Sequence, residues 1–420
     1  MVVHGGDYER DALSGGARVS RVCDGLLVIA NFFCICQAHY AILAQHKIVS
    51  ARRSNQYAGR MRHPNRLNMP AIAETHSLGL PVEVSKIDQE LKKLWQETEG
   101  AATRASLVNL AVYSEDGGSL SKNTQLMAKI TENHACRAIV IEADCKAQEN
   151  RVEAWISAHC HVSRAGSKQV CSEQISFLLK GACTTLLPSI VFSHLDSDLP
   201  FYLWWQEEFR GPMDPQLWAW VDRVIYESQR WEDFRAQMRL LESAEQEANQ
   251  RIVLCDLNWT RLDNVRFALA QFFDHPASHH NLAKIDKVRI DFATGFRSTA
   301  VLFTGWLAAQ LNWQSEKTNV PNKVSFVSPS GRKIDVELRE RPGEPIGEVA
   351  MATPDVEFLV THAKCGDLLE VSRGKPGEKR MPQLMPAGKN DPVSLMSEEL
   401  ARGGPHHVYL HAIERVRDLL

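Results

Sequence analysis

The motifs of common catalytic sites are missing from this sequence. No Gly-x-Gly-x-x-Gly follows an apolar run and no Gly-x4-Gly-Lys-[Ser/Thr] occurs, so the usual phosphate cradles are absent. There is no His-Glu-x-x-His and no Gly-x-Ser-x-Gly, the local signatures of zinc peptidases and α/β-hydrolases. Basic residues are not in excess: 48 Lys and Arg stand against 51 Asp and Glu, a net charge of −3. A nucleic-acid binder ordinarily carries a basic surplus, so no nucleic-acid partner is expected. The ten cysteines lack a framework of spacings. No Cys-x-x-Cys occurs, the closest being Cys34-Ile35-Cys36. In a chain this long such scatter reads as reduced thiols in a reducing, cytoplasmic compartment.

What is present is ordinary globular material. The 420 residues are 44% hydrophobic and 24% charged, enough for two domains. Residues Leu26 to Ala44 form an apolar run with Arg18 and Arg21 before it, the outline of a signal peptide or short span. Asp24, Asn31, Gln37 and His39 interrupt that outline, and no clean small-x-small cleavage site follows. Residues 1–80 therefore read as a poorly ordered leader or an over-extended start, with Met61 or Met69 as the alternative first residue and no stable membrane insertion expected.

From Pro81 the texture becomes α/β. Val84 to Glu97 carries Val84, Ile87, Leu91, Leu94 and Trp95 at helical spacing. Arg104 to Tyr113 reads as a buried strand, Ser121 to Glu132 as a helix and Cys136 to Glu142 as a second strand. That rhythm favours parallel pairing through a right-handed crossover. Val152 to Val162 and Gln169 to Leu178 follow as further segments. Cys136, Cys145, His159, Cys160, His161 and Cys171 could be drawn as a zinc site, but paired ligand spacings are missing, and ordinary strand residues are expected instead. Pro200 then opens the aromatic strand Phe201 to Trp205. One of Trp204 and Trp205 is expected in the core, the other as a partner-facing anchor.

A linker, Gly211-Pro212-Met213-Asp214-Pro215, divides the first domain, 81–210, from the second, 211–420. In the second, the apolar run Ile252 to Cys255 ends in Asp256-Leu257-Asn258-Trp259, and a helical pattern starts at once. Thr260 and Asp263 have the spacing of a capping box. In open α/β sheets such strand-to-helix junctions are where ligands and partners dock, which singles out Asp256, Asn258, Trp259 and Arg261. The plainer alternative is that Trp259 fills core and Asp256 pairs with Arg261. Asp233 to Ala248 and Ser298 to Trp313 read as helices, and Gly305 inside the latter implies close packing. After Pro321 the pattern turns antiparallel, with a hairpin at Pro329-Ser330-Gly331. Residues Gly374 to Pro392 read as a loop, and two short helices, Val393 to Ala401 and Val408 to Leu420, end the chain. The fold class is thus two mixed α/β domains, the second ending in an antiparallel meander and short C-terminal helices.

Several blocks resemble one family, in its order. Asp256-Leu257-Asn258-Trp259-Thr260-Arg261-Leu262 is similar to the signature of the OpcA family of glucose-6-phosphate dehydrogenase assembly proteins. His134 to Val140 resembles the family's His-Pro-Ser-Arg-Ala block, departing from it at Ala135 and Cys136. Cys171-Ser172-Glu173-Gln174, Asp198-Leu199-Pro200 with Leu203-Trp204-Trp205, Val221 to Ser228 and Leu302 to Ala308 resemble others. The resemblance runs from about Pro81 to the C-terminus. It implies a non-catalytic effector that binds glucose-6-phosphate dehydrogenase and promotes its active oligomer in the oxidative pentose phosphate pathway, with no cofactor and no metal. Trp204, Trp205, Asp256, Asn258, Trp259 and Arg261 are the candidate partner-interface residues. The alternatives are an enzyme or sensor for a sugar phosphate or nucleotide, and a redox regulator working through exposed thiols such as Cys136 or Cys171.

Overall fold

The computed structural model describes residues 78–419 apart from 97–101, 163–168, 212–214, 248–251, 317–321, 365, 376, 379–380 and 404–405. The expected leader up to residue 77, with its apolar run, and most of the linker lie outside the described residues. Among the described residues no helix is long and apolar enough to cross a membrane.

The chain first builds β1 (Leu80–Val82), α1 (Ile87–Gln96), β2 (Ala102–Arg104), β3 (Asn109–Ser114), α2 (Ser119–Thr131) and β4 (Arg137–Asp144). There follow β5 (Arg151–Val162), β6 (Gln169–Lys180), α3 (Leu187–His194), β7 (Phe201–Trp205), β8 (Arg223–Tyr226), α4 (Phe234–Glu247) and β9 (Val253–Asp256). These strands form one nine-stranded sheet in the order β1-β5-β6-β4-β3-β7-β8-β9, with β2 added to β6. From β6 to β9 every neighbouring pair is parallel, while β1 and β5 run antiparallel at one edge. β3 is buried along its whole length, as a strand covered on both faces must be. Leu110 and Val112 point into one apolar cluster with Leu120, Met127 and Ile130 of α2. Ala111 and Tyr113 point into the other, with Ile87 and Leu91 of α1, so the period-two alternation sorts the strand between two helical layers.

After β9 a helical turn, Leu257–Thr260, and α5 (Asp263–Ala270) lead to the second sheet. Its elements are β10 (Lys287–Phe292), α6 (Arg297–Gln310), β11 (Gln314–Glu316), β12 (Lys323–Val327), β13 (Lys333–Glu340), β14 (Ile346–Ala352), β15 (Glu357–His362), β16 (Leu368–Gly374) and β17 (Gln383–Pro386). Then come α7 (Pro392–Ala401) and α8 (His407–Leu419). The strand order is β11-β12-β13-β10-β14-β15-β16-β17, and within it only β10 and β13 are parallel. The mixed α/β class, the antiparallel meander and the short closing helices are as the sequence suggested. The turn between β12 and β13 falls on the expected hairpin, with Gly331 at φ 79°. Gly305 also has the expected reason: a Cβ there would stand 2.5 Å from Val416 Cγ2 and 2.7 Å from the Ala412 carbonyl oxygen on α8.

Four local readings change. Arg104 to Tyr113 is not one strand: β2 pairs with β6, the chain turns at Leu107, which is 74% exposed, and only β3 enters the parallel core. The loop from Gly374 contains an edge strand, β17, which finds its partner in β16. The helix after β9 is capped by Asp256, whose side chain accepts from Asn258 N, and not by a Thr260–Asp263 box. Thr260 Oγ1 instead donates to Glu399, and Asp263 pairs with Arg266 and Arg402. Finally, the ten cysteines are not all thiols. Cys160 and Cys171 sit opposite each other in the β5–β6 register and are disulfide-bonded.

Candidate functional site

Strand order reverses beside β3. The chain leaves β3 through α2 to β4 on one side and returns by β7 on the other, so the connections that leave the carboxyl ends of these paired strands diverge around a crevice. Open parallel sheets bind their ligands in such switch-point crevices, where crossover loops diverge. A cavity of about 330 Å³ lies here, bordered by Ser114, Lys122, Trp204, Gln206, Glu227 and Arg230. The loop from β3 to α2, Asp116-Gly117-Gly118, forms one wall.

In many such folds the first turn of the crossover helix receives a phosphate, because its N–H groups are free and its dipole is positive. Here that place is taken from within. Glu142, near the end of β4, accepts from Gly118 N at 3.1 Å and from Leu120 N at 2.7 Å, and Ser119 Oγ donates to it at 3.3 Å. Gly118 takes φ 81°, a left-handed turn that a side chain would strain. Asn123 and Gln206 exchange side-chain hydrogen bonds of 2.9 and 3.0 Å across the base of the crevice.

The far wall is held by the residues after β9. Asp256 is buried and accepts from Ser228 N, Ser228 Oγ, Asn258 N and Tyr409 OH at 3.0, 2.5, 2.9 and 3.1 Å. Burial pushes its carboxyl up to about 6, although each of these hydrogen bonds pulls the other way. Asn258 donates to Ser228 Oγ and accepts from Thr299 Oγ1 at 2.6 Å and Arg261 Nη1 at 3.1 Å. Arg261 pairs with Glu227, which borders the cavity, and covers the Phe296 ring. Asp256 thus does not pair with Arg261; the two are linked through Asn258. The Asp256-to-Arg261 run ties the ends of β8 and β9 to α6 and α8, and its one reach toward the crevice is the Arg261–Glu227 pair.

The six candidate residues differ in exposure. Asp256 and Asn258 are interior, and Trp259 is 3% exposed, packed against Tyr409 and covered by Arg266. Arg261 is nearly buried. Trp204 is 4% exposed yet borders the cavity. Trp205, on the opposite face of the sheet, is half-buried and stacks on Tyr113 with centroids 4.1 Å apart. The exposed polar groups at the rim are Asp116, Lys122 and Arg230, and none of them stood out in the sequence, since single charges in loops are commonplace. Glu142, Ser228, Thr299 and Tyr409 were missed too; their roles depend on partners more than 20 residues away.

A second buried network joins two of the sequence blocks noted above. Glu173 receives Arg104 at 2.7 Å, Arg137 at 2.9 Å and Trp95 Nε1 at 3.1 Å, while Ser172 Oγ accepts from Cys136 N. Gln174 donates to Thr124 and Ser176 and contacts His159 at 2.9 Å. Of the cysteines and histidines that could have been drawn as a zinc site, Cys160 and Cys171 are bonded to each other, and the set forms no ligand cluster among the described residues. Cys136 is a fully buried thiol that burial pushes up to about 12, and Cys171 is in the disulfide, so neither is an exposed thiol.

Residues 127–243 match the family model described as the glucose-6-phosphate dehydrogenase subunit N-terminal domain. Residues 252–413 match the one described as the C-terminal domain of the same subunit, and both models carry the OpcA name. This chain belongs to the OpcA family. The OxPP cycle protein OpcA of Nostoc punctiforme is 24% identical over 313 residues, 70% of this chain and 66% of that protein. Its namesake in Synechocystis sp. is 25% identical over 307 residues, 67% of this chain and 62% of that protein. The chain thus spans a little under two thirds of the length of these two relatives. Among solved structures, an aldose-aldose oxidoreductase from Caulobacter crescentus complexed with glycerol aligns with a TM-score of 0.41 at 10% identity, over 74% of this chain and 95% of that one. A likeness at that level carries no argument about chemistry. The second OpcA domain begins at the strand that ends in Asp256, the residue on which the far wall of the crevice depends.

Proposed function

We propose that this protein is a non-catalytic effector that binds glucose-6-phosphate dehydrogenase and promotes its active oligomer in the oxidative pentose phosphate pathway. The observation that carries this reading is the ordered match of both halves to domains described as parts of a glucose-6-phosphate dehydrogenase subunit. The names of the cyanobacterial relatives, OxPP cycle proteins, agree with it. So does the crevice, where the donors that would greet a phosphate already hold Glu142. An effector of this kind acts by binding one state of the dehydrogenase better than another, and the equilibrium shifts by that difference in affinity.

In this proposal Trp204, Asp256, Asn258, Trp259 and Arg261 govern the interface by holding its surface, and half-buried Trp205 braces the opposite face of β7 through its stacking on Tyr113. Arg261 fixes Glu227, and Lys122 and Arg230 at the rim supply the exposed charge. The test is co-purification with the cognate dehydrogenase, followed by its activity and oligomeric state with and without this protein. Activation is expected with the wild-type chain, and the Lys122→Glu, Arg230→Glu double variant is expected to weaken it while remaining folded. A dehydrogenase indifferent to micromolar wild-type protein would defeat the proposal. The cavity with Lys122 and Arg230 favours one second reading, a sensor for a small sugar phosphate or nucleotide. A thermal-shift screen with those ligands separates the two.

A further inference from the structure

Away from the crevice, three side chains from distant parts of the chain converge. Cys255 on β9, Glu399 on α7 and His406 just before α8 bring a sulfur, a carboxylate oxygen and a ring nitrogen within 4.8 Å of one another. Cys255 Sγ lies 3.8 Å from His406 Nε2, and His406 Nε2 lies 2.8 Å from Glu399 Oε1. Cys255 and Glu399 are buried, Glu399 at 1% exposure, and the His406 side chain is nearly so.

Glu399 is the informative member. Its Oε2 accepts from Thr260 Oγ1 at 2.9 Å. Its Oε1 faces His406 Nε2 at 2.8 Å and Arg223 Nη1 at 3.8 Å. A buried carboxylate needs partners for its oxygens, and here they come from distant parts of the chain. A ring nitrogen and a carboxylate oxygen brought this close, beside a sulfur, have the arrangement of ligands facing a common electrophile.

We propose that Cys255, Glu399 and His406 bind one divalent transition-metal ion of the zinc class. Tetrahedral zinc, at about 2.3 Å from sulfur and about 2.0 Å from nitrogen, sets those two atoms roughly 3.6 Å apart. The 3.8 Å between Cys255 and His406 meets this with little movement, and the His406–Glu399 pair opens by about half an ångström. A thiolate and an imidazole together select a borderline-soft ion over magnesium or calcium, which take oxygen ligands. On binding, the Cys255 thiol gives its proton to solvent, and the thiolate and carboxylate offset the two charges of the ion. Arg223, whose Nη1 is 3.7 Å from the sulfur and 3.8 Å from Glu399 Oε1, adds a positive charge at the edge of the site, so a metal ion competes with it for Glu399. Because the ligands come from the first sheet, from α7 and from the residue just before α8, the ion fastens α7 and the start of α8 to β9, one residue from Asp256. Metal bound only by the folded chain stabilises the fold by mass action.

The experiment takes the full chain, strips it with a chelator, and titrates it with cobalt(II) and then zinc(II). One equivalent of cobalt is expected to give a thiolate-to-cobalt charge-transfer band in the near ultraviolet. Zinc should displace the cobalt and raise Tm, and the chelator should reverse both effects. Cys255→Ser is expected to lose the band. His406→Gln and Glu399→Gln should bind more than about 100-fold more weakly, a larger loss than outer-shell substitutions give. Circular dichroism verifies that each variant is folded, and Cys145→Ser, at an exposed thiol, serves as the control that keeps the band. A wild-type chain with neither band nor Tm shift overturns the proposal, as does a band that survives in Cys255→Ser.

Discussion

Glu142 Oε2 accepts a hydrogen bond of 2.7 Å from the backbone N–H of Leu120. A carboxylate from the end of one strand thereby neutralises the start of the helix that precedes it in sequence. The first prediction follows from this contact. Glu142→Ala leaves Gly118 N and Leu120 N without their acceptor in a part-buried setting, which costs roughly 1–3 kcal/mol. Urea unfolding measures the loss. Inorganic phosphate should then raise Tm of the variant and leave the wild type unmoved. Equal responses of the two would mean that the helix terminus is not an anion site held by Glu142.

Asp256 sets a pH dependence. Burial lifts its folded-state carboxyl from 3.8 to about 6, so between those values the folded chain holds a proton that the unfolded chain has released. The stability it contributes is present below the unfolded value and is lost as pH rises through about 6. Thermal melts of wild type and Asp256→Asn from pH 4 to pH 7 should show the wild type losing Tm relative to the variant across that window. Parallel curves would contradict the assignment.

Trp259→Ala removes a core side chain, not a surface one. The expected cost is about 3–5 kcal/mol, the range for large-to-small changes at buried aromatic positions. Arg266, which covers the ring, loses its support as well. Chemical denaturation checks the stability. Any effect on dehydrogenase activation should scale with the fraction unfolded, and activation lost by a fully folded variant would show a direct contact instead.

Gly305→Ala forces a methyl group against the Ala412 carbonyl oxygen, a backbone atom that can move only with α8. Overpacking of this kind costs typically about 1–3 kcal/mol. Hydrogen exchange on α8 should rise while exchange in β3 and β4 stays slow. A neutral substitution would mean that α6 and α8 are less tightly packed than described.

Much of the architecture was legible in the residues because it rests on local pattern. The unbroken apolar runs in β3 and β4 carry their own burial, and the alternation in β13 does the same for a strand with one wet face. The separation of β2 from β3 was not legible, since Leu107 looks like any strand residue until the chain is seen to turn there. The cap on the turn after β9 was misread for a related reason: Thr260 and Asp263 have suitable spacing, but stronger partners reach both from α7 and the residue that follows it. The Cys160–Cys171 pair depends on β5 and β6 being adjacent and in one register, which spacing alone does not give.

By itself the sequence determined the α/β class, the antiparallel second half and the family signature around Trp259, because periodicity and short-range motifs are written in consecutive residues. Only the tertiary structure decided what those residues do. It buried Asp256, Asn258 and Trp259 behind the crevice, set Glu142 on a helix terminus, and brought Cys255, Glu399 and His406 together. The physical reason is that burial and pairing between residues far apart in the chain depend on strand order, and strand order follows from how whole layers pack.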